Sequence, residues 1–219
     1  METIKTSIMA IGIFLLGTAP LLAQECATLQ GASPDKLVSY LNRVADRRQN
    51  APCVAFAIKK IGEQRYEPAI PVLTKFLEFR WPLGVNQKQR RFALEHDGFT
   101  IYPAADALEK IGKNSLPAVL RAMKANSTSR QEMEVAVSVW MTIYKDQTPM
   151  GVALLKQEAD RTTQPMARQQ LGWAAIRAAM GWCNSSEQTQ CDAAAQTNFS
   201  SGMLPHASAI RQPETRETK

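Results

Sequence analysis

The chain is poor in the residues that do chemistry. Of 219 residues only two are histidine, four are cysteine and 7% are aromatic. It has no glycine-rich phosphate loop, no H-E-x-x-H, no paired aspartate motif and no Ser or Cys motif that marks a nucleophile, which excludes the enzyme classes known by those patterns. The cysteines show neither C-x-x-C spacing nor a paired histidine, so no metal set is expected. No cofactor is expected either. Scarce aromatics beside frequent Ala, Leu, Ile, Gln, Lys and Glu argue against a sheet, since unbranched side chains lose little rotamer freedom in a helix. The expected fold class is all-α. With 45% hydrophobic residues the chain can build one compact domain or a short array with a continuous core.

Long apolar runs are scarce too, and the first residues hold the one that matters. "METIKTSIMAIGIFLLGTAPLLAQEC" has the order of a secretory signal: Lys5 as the positive end, Ile8 to Leu16 as the apolar stretch, Pro20 as a break and Leu21-Leu22-Ala23 before Gln24. The run falls short of the ~18 to 20 residues that span a bilayer. Residues 1–23 are therefore expected to be cleaved, leaving no integral membrane segment and placing the mature chain in the periplasm or outside the cell. Cysteine usage agrees with export. Cys26, Cys53, Cys183 and Cys191 form an even set, and of the three pairings that four cysteines allow, proximity favours Cys183 with Cys191 and leaves Cys26 with Cys53.

After a short N-terminal segment, 24–33, helical periodicity begins. Ser33 and Pro34 open a first helix with Leu37, Leu41 and Val44 on one face. A second carries Val54, Ala57, Ile58 and Ile61 inward and is expected to stop at Gly62 in the left-handed conformation. A third is expected over Glu67 to Phe79, with Ile70, Leu73, Phe76 and Leu77 on one side. Ala104, Ala107, Leu108 and Ile111 line the next, with Gly112 as its stop, and Leu116, Val119, Leu120 and Met123 line the one after. "SRQE" at Ser129 is a capping box. It opens a helix carrying Met133, Val137, Trp140, Met141 and Tyr144. Two more follow, from Thr148-Pro149 to about Asp160 and from Gln164-Pro165 to about Met180. The segment 183–219 reads as a Cys-bridged polar tail, too poor in apolar residues beyond Asn198 to offset ordering entropy.

Two stretches repeat each other. Ala57-Ile58-Lys59-Lys60-Ile61-Gly62 and Ala107-Leu108-Glu109-Lys110-Ile111-Gly112 match, and each is followed by an apolar-Pro pair, Ile70-Pro71 and Leu116-Pro117. This pattern resembles HEAT repeats, in particular the HEAT-like repeats also found in phycobilisome lyases. The resemblance is clear over Pro52 to Lys124, weaker over Ser129 to Asp160 and weakest over Gln164 to Met180. It implies an α-solenoid of about three to four antiparallel helix pairs over 34–182, since units of this kind run ~40 to 47 residues. A globular helical bundle is the rival. Lyase activity is not carried over, because an exported chain would not meet that substrate.

The copies differ most in what separates them from each other, the long connection "RWPLGVNQKQRRFALEHDGFTIY". Links between packed helices usually take two to eight residues, and longer ones often serve binding. This insertion, 80–102, holds Arg80, Trp81, Arg90, Arg91, Phe92, His96, Phe99 and Tyr102, the aromatic and arginine anchors typical of a binding hot spot. The expected function is a non-catalytic scaffold that takes another protein or a peptide on its concave face and this insertion. Two alternatives stand beside it. An enzyme could use His96 with Asp97, although neighbours in sequence generally point apart. A basic module could bind anionic envelope surfaces, given the formal net charge of +6, which removal of 1–23 leaves unchanged because Glu2 and Lys5 cancel. The lysines and arginines are spread over helix faces, and export argues against nucleic acid as the partner.

Overall fold

A computed structural model describes residues 26–82 and 101–195. Among these residues the protein is all-helical, without a strand. Both cysteine pairs are bonded as sequence proximity suggests, Cys26 to Cys53 and Cys183 to Cys191, with Cα–Cα separations of 5.0 and 6.4 Å. No helix of the described residues is long and apolar enough to cross a membrane.

The main helices follow in the order α1 Pro34–Arg43, α2 Ala51–Glu63, α3 Ile70–Leu73, α4 Pro103–Ile111, α5 Leu116–Lys124, α6 Arg130–Ile143, α7 Thr148–Arg161, α8 Pro165–Trp182 and α9 Gln188–Ala195. Proline stands in the first two positions of α1 to α5, α7 and α8, where its missing N–H breaks no intrahelical bond. At α6 the Ser129 Oγ accepts from the Glu132 N–H at 3.0 Å, which is the N-cap half of the capping box.

Four expectations need correction. Gly62 is not a left-handed stop: α2 runs on through it to Glu63, and the positive φ falls at Arg65. The first helix ends at Arg43, before Val44, because the Asp46 carboxylate accepts from the N–H groups of Arg48 and Gln49 and folds the following residues into a turn. The third is not one helix: α3 is a single α turn between 3-10 segments Glu67–Ala69 and Thr74–Phe76. Pro71 has no N–H to donate to the Glu67 carbonyl as a continuous helix from Glu67 would require, which leaves tighter turns in place of a regular ladder. The polar tail does not begin at 183, since α9 lies beyond it with Cys191 fully buried. Only 196–219 of the expected tail remains, outside the described residues.

The helices pack in chain order around one core. α1 lies on α2, α2 on α4, α4 on α6, and α6 on α8, while α5 packs on α6 and α8, and α7 on α8 and α9. Most residues read as inward are inward: Val54, Ala57, Ile58, Ile61, Leu73, Phe76, Leu77, Ala104, Ala107 and Leu108 are buried, whereas Val44, Ile111, Leu120 and Tyr144 are only half-buried at the edge of the core. α2 and α4 approach each other closely. There the backbone of Gly62 lies so near Ala107 that a Cβ on residue 62 would stand 2.7 Å from the Ala107 Cα. Further along, the Trp140 indole N–H donates to the Gly151 carbonyl at 3.0 Å and joins α6 to α7.

Candidate functional site

The insertion 80–102 leaves and re-enters the fold at one point. On the way out, the Phe79 N–H donates to the Phe76 carbonyl at 2.9 Å, and the two rings meet edge to face with centroids 6.1 Å apart. Phe79 is buried. Arg47, from the turn after α1, holds this exit from the side: its guanidinium lies 4.0 Å over the Phe76 ring and donates to the Lys75 carbonyl at 2.8 Å. On the way back in, Tyr102 precedes α4, and its carbonyl accepts from the Asp106 N–H at 3.1 Å. The two strands of chain are tied where they pass: the Trp81 N–H donates to the Ile101 carbonyl at 3.1 Å. A connection whose ends meet in this way is anchored at its base.

Of the eight residues read as contacts, three lie within the described structure. Arg80 and Trp81 are half-buried at the base, where part of each side chain faces solvent. Tyr102 is 1% exposed and belongs to the core, which corrects its assignment as a contact residue: it is an anchor that no partner reaches. Its aromatic ring carries the expectation, but a large ring beside a helix start serves burial equally well. Arg90, Arg91, Phe92, His96 and Phe99 lie outside the described residues, as does Asp97.

The base also holds groups that the sequence does not assign to it. The Ser129 hydroxyl at the start of α6 donates to the Glu78 carboxylate, one residue before Phe79. Glu132 stands close by. Burial pushes its carboxyl above the usual range, the charge of Glu78 pushes it further, and hydrogen bonding to the Ser129 backbone opposes both. Arg47, Glu78 and Glu132 come from three separate elements; the capping box announces Glu132 only as a helix start, and no local motif announces that the three meet at this base. Together with Arg80 and Trp81 they give the base both signs of charge beside an aromatic ring. Such a surface can orient a ligand; it offers no thiol. All four cysteines are oxidised, and no group of three or more His, Cys, Asp or Glu among the described residues is placed to hold a metal.

Comparison with known proteins gives no match to any family model, curated protein or solved structure.

Proposed function

We propose that the protein is a non-catalytic scaffold acting outside the cytoplasm, which binds another protein or a peptide through the 80–102 insertion and the concave face of a HEAT-like α-solenoid. The observation that carries this reading is the clamp at the base of the insertion. Trp81 and Ile101 are joined by a backbone hydrogen bond, Phe79 and Tyr102 are sunk in the core on either side, and Arg80 and Trp81 keep part of their surface in solvent. Binding loops work best when a rigid scaffold positions their ends, because less entropy is lost when the ligand arrives. The solenoid reading is supported by the packing order, in which α2, α4, α6 and α8 touch in sequence as the first helices of successive pairs would. Two disulfides support export, since such bonds persist in oxidising compartments.

The test is recovery of a partner from an envelope extract by the tagged protein, with the triple variant Trp81→Ala, Arg90→Ala, Arg91→Ala run in parallel. The variant should lose the partner while its far-ultraviolet circular dichroism stays unchanged. Equal recovery by both proteins would reject the insertion as the binding element.

A further inference from the structure

Helix α8 is built inside out. Its buried face consists mostly of small residues, Ala167, Ala174, Ala175, Ala178 and Ala179 around Leu171, while the larger apolar side chains Met166 and Met180 are 53% and 63% exposed and Trp173 is half-buried. A surface helix normally turns its polar residues outward, and one that is apolar on both sides is normally covered on both. The outer residues are ordered. Met166, Trp173 and Met180 recur every seven positions, so they drift only ~20° per step and form one stripe about 21 Å long at 1.5 Å per residue. Gln169 and Arg177 lie on the same stripe, four residues to either side of Trp173.

We infer that this stripe is a homodimer interface, in which α8 packs antiparallel on α8 of a second copy about a two-fold axis at Trp173. In that arrangement a residue at a given distance before 173 meets the one at the same distance after it. Met166 faces the second copy's Met180, Trp173 faces its counterpart, and Gln169 faces Arg177. Types match along the stripe, apolar at the centre and at seven residues and hydrogen-bonding at four, while Gln170 and Ile176 at three residues lie on its margins. This self-complementarity is what an isologous interface demands. A parallel pair would set Arg177 against Arg177. An anionic membrane or an acidic peptide is a poorer fit, because interfacial helices keep their cations on the polar rim, whereas Arg177 lies between Trp173 and Met180. From Thr162 to Ser186 the chain has no acidic residue, so within a dimer the Gln169 amide is the acceptor that the stripe offers to arginine. Arginine has five N–H donors, so this contact requires it to give up none that it already makes. A single helix stripe covers less than the ~800 Å² per partner of a standard interface, so association should be weak and reversible.

Sedimentation velocity of the purified protein over a hundredfold concentration range tests this. The expected result is a reversible monomer–dimer equilibrium. Trp173→Glu, which sets two carboxylates at the axis, should weaken it by more than about tenfold. Gln169→Glu should tighten it about two- to fivefold by opposing Arg177, and Gln169→Lys should loosen it by a similar factor. Gln169 is exposed, so these two variants keep the fold, which circular dichroism verifies. A monomer at every concentration would overturn the inference, and so would a Gln169→Glu dimer no tighter than the wild type. Binding of a monomeric protein to phosphatidylglycerol vesicles or polyglutamate that Trp173→Glu abolishes would assign the stripe to an anionic partner instead.

Discussion

The segments Ala57–Gly62 and Ala107–Gly112 carry nearly the same words and lie on neighbouring helices, yet their glycines do unrelated work. Gly112 turns the chain: at φ 80°, ψ −145° it sits in a region almost closed to residues with a Cβ, and nothing lies within 4 Å of where a Cβ would be. Gly62 turns nothing. It is inside α2, and its absent side chain is what lets α4 come within contact of the α2 backbone at Ala107. The turn of the first copy falls three residues later, where Arg65 adopts φ 48°. Even so, the two connections still meet, since the Asn114 amide donates to the Glu67 carboxylate at 2.6 Å. A repeated glycine thus marks one position with two uses, packing in the first copy and backbone freedom in the second.

The copies also differ in how they are fastened. Cys53 lies on α2 and ties it to Cys26, twenty-seven residues back, whereas α4 has no such bond. Closing a loop of that length restricts the unfolded chain by about 3.5 kcal/mol in the chain-entropy account, against about 2.5 kcal/mol for the eight-residue loop of Cys183–Cys191. Replacing Cys26 and Cys53 together by alanine should therefore lower unfolding stability in urea by more than the same change at Cys183 and Cys191. The reverse order would mean that α9, tied to the end of α8 by the second bond, matters more to the fold than the N-terminal staple.

The glycines come next. Gly62→Ala should cost about 1 to 3 kcal/mol despite the better helix propensity of alanine, because its Cβ would meet Ala107 backbone, which cannot rotate away. Gly112→Ala should cost about 1 to 2 kcal/mol through strain alone. Asparagine separates the two uses of glycine at this site. It tolerates the left-handed helical region but not ψ near −145°, so Gly112→Asn should be no better than Gly112→Ala. Rescue by asparagine in a urea titration would show that the turn relaxes into the ordinary left-handed conformation.

Much of this fold is legible in the sequence because burial follows period. Val54, Ala57, Ile58 and Ile61 repeat at helical spacing and are buried, and Pro34, Pro149 and Pro165 mark helix starts. What escapes the sequence depends on partners far along the chain. Gly62 reads as a helix stop until Ala107 is seen against it. Thr74 to Phe76 reads as α-helix from its apolar spacing, which does not distinguish a 3-10 turn over so few residues. α8 gives almost no periodic signal, because alanines on its inner side and methionines and tryptophan on its outer side are both apolar. Of the candidate site, the aromatic and basic character of the insertion is visible, but the base that holds it depends on Arg47, Ser129 and Glu132, drawn from elements that only folding brings together.

The smallest expected effect is a difference in pH dependence between the ends of the two echoed helices. On α2, Glu63 accepts from Lys60 at 2.8 Å, and this hydrogen bond holds its carboxyl below the ordinary 4.5. The stability it contributes is present above the unfolded value and is lost as pH falls through the folded one. On α4, burial and then the charge of Asp106 raise Glu109 above 4.5, with Lys145 and Lys110 opposing. The folded state keeps that proton longer than the unfolded chain does, so stability declines as pH rises from the unfolded value through the folded one. Glu63→Gln should then lower the urea midpoint at pH 7 and leave it unchanged near pH 2. Glu109→Gln should raise it at pH 7 and likewise leave it unchanged in acid. Both shifts are small, because Glu63 is exposed and Glu109 only half-buried, so water screens both. Equal signs at pH 7 would mean that the echoed helices share an electrostatic environment, and that the change from Lys59 to Glu109 has no consequence beyond the surface.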